Sequence, residues 1–184
     1  KQFLPEYTLS EEELLSFLGP PLRESFARYL SGHQVDEAVE VYRAYNREKH
    51  NDYVTLYPHE TEVLKKLHEE GIKMAIVTTK YKDAAVYGLK CADLDQYFDV
   101  VIGSDEVTHG KPHPEALRVA LSHLNATKGY MIGDNVTDIQ AGKNAGIGTI
   151  GVTWSLKGTQ FLLEEHPDYM MESYDDLYQY LERM

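Results

Sequence analysis

At 184 residues, with 42% hydrophobic and 26% charged side chains, the chain has the size and composition of a globular protein with one substantial core and room for a small second lobe. Its formal charge of -12 argues against nonspecific attraction to nucleic acid or to an anionic membrane, because both polyanions are repelled. The single cysteine, Cys91, excludes an internal disulfide framework and fits a reducing, cytoplasmic compartment, while the apolar runs are too short to span a bilayer and Lys1-Gln2-Phe3-Leu4-Pro5-Glu6 does not read as a signal peptide.

From Ser10 to about His50 the pattern reads as helical, without strand-like alternation. Ser10 followed by Glu13 forms a capping box that opens a first helix, which Gly19 closes before Pro20 and Pro21 force a turn. A second helix is expected through Leu22, Phe26, Ala27 and Leu30 to Ser31-Gly32. The third places Val35, Ala38, Val39, Tyr42 and Tyr45 on one stripe at helical spacing, a packing face.

From residue 55 to 184 the pattern becomes one of helices alternating with short apolar strands, as in a parallel sheet covered by helices. Helix 60–70 ends at Gly71 and feeds strand 72–77; helix 83–89 leads to strand 98–102; helix 114–124 to strand 130–132; and helix 137–144 to strand 149–152. Four strands are expected, then helices near 158–165 and 174–181. Trp154 and the fourteen tyrosines are read as core and rim rather than as a base-stacking surface.

Parallel sheets bind ligands outside the carboxyl ends of their strands, so the residues just after each strand carry the chemistry. Thr78 and Thr79 follow the first strand, where hydroxyls and free backbone N–H groups can grip a phosphate oxygen; alone, they read as an ordinary helix N-cap. Lys111, held between Gly110 and Pro112, can aim an ammonium at the strand ends. Asp134 and Asp138 stand at a strand end and one turn into the next helix, an oxygen-donor arrangement that suits Mg2+. Small residues in the run from Gly133 to Gly142, with Ala145-Gly146, let that helix lie close to the sheet. His109 and His113 flank Lys111, but two histidines without a nearby carboxylate or cysteine do not fill a tetrahedral zinc site.

A threonine after a core strand, a lysine in a Gly-Lys-Pro turn and a Gly-Asp-x-x-x-Asp loop, in that order, resemble the second, third and fourth motifs of the haloacid dehalogenase phosphatases. The stretches 17–22, 41–46, 76–80, 88–90 and 151–158 are similar to the branch that holds the phosphoglycolate phosphatases and the HPr-associated bacterial pyrophosphatases, and most similar to the latter. The resemblance implies a doubly wound α/β core at 55–184 with a small helical cap at 1–54. It also implies Mg2+-dependent hydrolysis of a small phosphorylated substrate or pyrophosphate through an aspartyl-phosphate. In that reading Thr78 and Thr79 bind the transferring phosphoryl group and Lys111 neutralises it. Asp134 and Asp138 serve the metal, and Gly19, Pro20 and Pro21 face the leaving group.

One departure stands out. The family's first motif, an Asp-x-Asp-Gly-Thr run that supplies the nucleophile, does not occur in the 184 residues. The expectation is that a leading strand has been lost from the chain, leaving the core one strand short, and that these residues alone do not turn over phosphate. A catalytically inactive regulatory relative is the alternative. A receiver-type signalling domain is disfavoured, because its acidic residues precede its threonine and lysine, whereas Asp134 and Asp138 come last.

Overall fold

The computed structural model describes residues 3–183. Two compact units emerge, Lys1–Val54 and Thr55–Met184.

The first unit holds α1 (Glu11–Ser16), α2 (Leu22–Ala27) and α3 (His33–Tyr53). The capping box forms as the spacing requires: Ser10 Oγ accepts the Glu13 N–H at 3.2 Å, and Glu13 Oε2 accepts the Ser10 N–H at 2.8 Å. Gly19, at φ 104°, takes the left-handed turn that precedes the two prolines. The second helix is shorter than expected. It ends at Ala27, where the N–H groups of both Tyr29 and Leu30 converge on the Phe26 carbonyl and close the turn. Phe17 stacks on Tyr29 at 5.8 Å and meets Phe26 edge-on, building the small core that this shortening permits. On α3 the buried stripe stops early: Val35, Ala38 and Val39 are buried, whereas Tyr42 and Tyr45 are 44% and 54% exposed. Tyrosine tolerates either side of a core boundary, so periodicity alone did not mark where burial ends.

The second unit alternates α4 (Glu60–Glu69), β1 (Ala75–Val77), α5 (Lys82–Cys91), β2 (Val100–Ile102), α6 (Glu115–His123), β3 (Tyr130–Gly133), α7 (Val136–Ala145), β4 (Gly148–Val152), α8 (Gln160–Glu164), β5 (Tyr169–Met171) and α9 (Tyr174–Glu182). All strand pairs are parallel, which is the signature of an α/β fold. The described strands number five, not four, and they form two ribbons, β1-β2 and β3-β4-β5. Among the described residues β1 and β3 each have one strand neighbour. The two ribbons are joined through side chains instead: Val77 at the end of β1 packs against the cluster of Leu117, Met131 and Ala141, contributed by α6, β3 and α7.

The overlooked strand β5 is three residues long and follows His166-Pro167-Asp168, a context that reads as a loop. Its register comes from Asp168, whose Oδ2 accepts both the N–H (2.7 Å) and the hydroxyl (3.0 Å) of Thr149, a residue with no exposed surface. The innermost position of β4 is thereby satisfied, and β5 is held beside it. Close approach of α7 to the ribbon rests on Gly142, where an added Cβ would lie 2.6 Å from Thr149 Cγ2 and 3.0 Å from Met131 Cβ. Part of the tyrosine content is absorbed at the far edge. Tyr169 stacks on Tyr180 at 4.1 Å, Tyr130 meets Tyr180 edge-on at 5.9 Å, and Trp154 stacks on Tyr174 at 6.0 Å and tilts against Tyr57 at 5.2 Å.

Candidate active site

The carboxyl ends of β1 and β3 gather most of the chemistry. Thr78 extends the β1 ladder by one bond, its N–H donating to the Ile102 carbonyl at 3.0 Å, and its hydroxyl accepts the Lys80 N–H at 3.2 Å. The threonines do not cap α5. That helix starts at Lys82 behind Tyr81, which makes no side-chain cap, and the Lys82 N–H is taken by Asp105 Oδ1 at 2.8 Å. Asp105 therefore caps α5 from the loop after β2, a partnership across 23 positions that no local pattern announces. Glu106 adds to the same stitch. It pairs with Lys82 Nζ at 2.8 Å and accepts the Gly103 N–H at 3.0 Å, and these bonds, the lysine first, hold its carboxyl below the usual carboxylate range. Thr78 and Thr79 are left half-buried on a braced loop.

Lys111 reaches the same place from the chain before α6. Its ammonium donates to the Val77 carbonyl at 2.9 Å and lies 2.6 Å from Asp138 Oδ1, with the two side chains only 9% and 7% exposed. Asp138 is at the third position of α7, where its Oδ2 accepts the Asn135 N–H at 3.0 Å in a capping box. Both of its oxygens are therefore engaged. Gly133 makes room for this arrangement, since an added Cβ there would fall 2.2 Å from the Cβ of Asp138.

Asp134 is different. It is exposed, its Oδ1 accepts only the Asn135 amide at 3.0 Å, and its Oδ2 has no protein partner among the described residues. Its backbone carbonyl is fixed by the Ser155 hydroxyl at 2.8 Å. A half-buried second ammonium, Lys157, donates to Asn135 Oδ1 at 3.0 Å. Sequence reasoning passed over Lys157, although its position shortly after β4 was a usable signal. Gly19, Pro20 and Pro21 belong to the helical unit, half-buried between α1 and α2.

An open carboxylate, two hydroxyls and two ammonium groups at parallel-strand ends can hold a phosphoryl group and offset its charge. The family model for haloacid dehalogenase-like hydrolases matches residues 1–152. The chain belongs to this family. Its haloacid dehalogenase-like relatives include the pyrophosphatase PpaX of Listeria monocytogenes serotype 4a, 45% identical over 96% of this chain and 82% of that protein. The pyrophosphatase PpaX of Bacillus velezensis is 45% identical over 90% and 77% of the two chains. Among solved structures, a haloacid dehalogenase-like hydrolase from Streptococcus pneumoniae superposes with a TM-score of 0.83 at 28% identity, covering 98% of this chain and 85% of that one. Members of the family are hydrolases, and this chain shares their α/β fold.

Proposed function

We propose that the protein is a Mg2+-dependent phosphohydrolase acting on inorganic pyrophosphate. The observation that carries the proposal is the Lys111 ammonium, nearly buried and held between the end of β1 and the start of α7, with Thr78 and Thr79 beside it on the β1 end. A buried cation fixed by a carbonyl and a carboxylate is pre-oriented, so a phosphoryl group arriving there meets positive charge at little cost in reorganisation. Thr78 and the Thr79 N–H would receive the non-bridging oxygens, and Lys157, reached through Asn135, would add charge for a second phosphoryl group.

Asp134 fits a direct metal ligand, being an exposed oxygen donor with one oxygen uncommitted; Asp138, with both oxygens taken, would act on the metal's waters and on Lys111. Mg2+ bound there would supply charge neutralisation of the phosphoryl oxygens. The aspartyl-phosphate route requires a nucleophile, and the 184 residues contain no Asp-x-Asp-Gly-Thr run. The single cysteine, Cys91, is free and half-buried and fits a reducing, cytoplasmic setting.

Pyrophosphate is preferred because the relatives at 45% identity carry that activity in their names. A phosphoglycolate phosphatase is the competing assignment. The deciding experiment measures phosphate release by the protein isolated from its own cells, with pyrophosphate, phosphoglycolate and simple phosphomonoesters, in Mg2+ and in chelator. Pyrophosphate is expected to give the highest kcat/KM by more than tenfold; a comparable preference for phosphoglycolate overturns the assignment. Replacement of Pro20 or Pro21 by alanine in the same panel tests whether that turn influences substrate choice.

A further inference from the structure

We propose that His109, His113 and Glu115 form a binding site for a divalent transition-metal ion of the Zn2+, Ni2+ or Cu2+ class, separate from the strand-end carboxylates. Each residue offers one ligand atom, and these atoms lie within 4.8 Å of one another. His109 Nδ1 is 2.9 Å and His113 Nδ1 3.8 Å from the same oxygen, Glu115 Oε2, and the two imidazoles lie with centroids 4.6 Å apart, tilted by 40°. Bonds of about 2.0–2.2 Å to a central ion put its ligand atoms about 3–4 Å from one another, so the ion enters with small side-chain shifts.

The carboxylate is held in place before any ion arrives. Glu115 Oε1 accepts the Thr108 N–H at 2.8 Å and Oε2 accepts the His109 N–H at 2.9 Å, while the Glu115 N–H donates to His113 Nδ1 at 3.3 Å. The two bonds accepted by Glu115 orient it as outer-shell partners do in metal sites, and the long Glu115–His113 bond gives way when the imidazole turns its lone pair to the ion. Two imidazoles and one carboxylate select Zn2+, Ni2+ or Cu2+ over Mg2+, which demands oxygen donors and keeps its waters. The histidine side chains are 61% and 49% exposed, so water completes the coordination sphere. The sequence spacing of His109 and His113 names no third ligand; Glu115, the first residue of α6, supplies it because the loop folds back onto its carboxylate. The same loop turns Lys111 inward and the histidines outward, so an ion here sits on the outer side of the Lys111 turn.

The test is calorimetric titration of Ni2+ and of Zn2+ into the chelator-treated chain, with and without millimolar Mg2+. One equivalent that persists in millimolar Mg2+ is expected. His109→Ala and His113→Ala each weaken it at least about tenfold, while His123→Ala leaves it unchanged. Circular dichroism of the exposed histidine variants verifies that the fold is intact. Absence of binding, equal affinity in the double variant His109→Ala/His113→Ala, or displacement by Mg2+ overturns the proposal.

Discussion

The Lys111 ammonium and Asp138 Oδ1 lie 2.6 Å apart with less than a tenth of either side chain exposed. Removing one member leaves the other charge buried without its partner, a loss of about 3–5 kcal/mol in comparable pairs. Asp138→Ala is therefore expected to lower unfolding free energy by about 3 kcal/mol. The double variant Lys111→Met/Asp138→Asn should recover much of that loss, because no unpaired charge remains. Denaturant melts of the parent, the single variant and the double variant make the comparison; an Asp138→Ala variant within about 0.5 kcal/mol of the parent would mean that the pair is not buried in solution.

Asp134 should behave in the opposite way. Its carboxylate is exposed and makes one side-chain bond, to its neighbour Asn135, so Asp134→Ala is expected to melt within about 0.5 kcal/mol of the parent. Mg2+-dependent phosphate release by the natively isolated protein should nevertheless be abolished. Undiminished turnover in Asp134→Ala, or equal rates in excess chelator, removes the metal assignment.

The 184 residues alone should bind phosphate without turning over pyrophosphate. Thr78, Lys111 and Asp134 can position and neutralise a phosphoryl group, but none is placed to become a covalent intermediate. Phosphate titration followed by NMR shifts at Thr78 and Thr79, beside a phosphate-release assay, separates the two properties. Sustained turnover by this chain would place the nucleophile within it and overturn the motif assignments.

Gly142 tests how tightly α7 is seated. A methyl group there would meet Thr149 Cγ2 at 2.6 Å and Met131 Cβ at 3.0 Å, in a layer where Thr149 and Ala141 have no exposed surface. Overpacking of this kind costs about 1–3 kcal/mol. Gly142→Ala should lower the thermal midpoint accordingly, whereas Gly146→Asn, at the left-handed φ of 76° that ends α7, should be nearly silent.

Acid sensitivity follows from Asp99. The Lys73 ammonium at 2.9 Å and the Met74 N–H at 3.0 Å hold its carboxyl below the usual range. A depressed folded-state pKa contributes stability that is complete above the unfolded value of about 3.9 and vanishes as pH falls through the folded value. Asp99→Asn should thus destabilise the protein at pH 7, by about 1 kcal/mol at most given its partial exposure. The difference between the variant and the parent should shrink as pH falls through the folded value. A deficit undiminished in acid would point to lost packing instead.

Much of the second unit was legible because its helices carry strong terminal signals. Gly71 and Gly146 close α4 and α7 with left-handed residues, and the small residues ahead of Gly146 mark a tight helix–strand contact. What escaped the sequence depends on partners far along the chain. Asp105 capping α5, Asp168 fixing Thr149 and Lys111 pairing with Asp138 are contacts across loops, and each residue taken alone looks like an ordinary solvated charge. The first two strands were overestimated for a related reason, whereas β3 and β4 are each one residue longer than expected. Ile72 continues the apolar run into β1 but is 45% exposed, so its hydrophobicity records no strand pairing. The strand-end residues stood out in the sequence because parallel topology directs ligands there; Lys157 did not, because it hydrogen-bonds Asn135, a residue given no task of its own.

Trp154 is the chain's single tryptophan, and its ring is stacked on Tyr174 at the start of α9 and tilted against Tyr57 ahead of α4. The molecule therefore carries an intrinsic optical reporter. Ultraviolet excitation of the abundant phenols should pass to this one indole, whose emission will redden and lose its sensitised component when α9 detaches from the ribbon edge. The release of the last helix can be timed in a stopped-flow cell without any label.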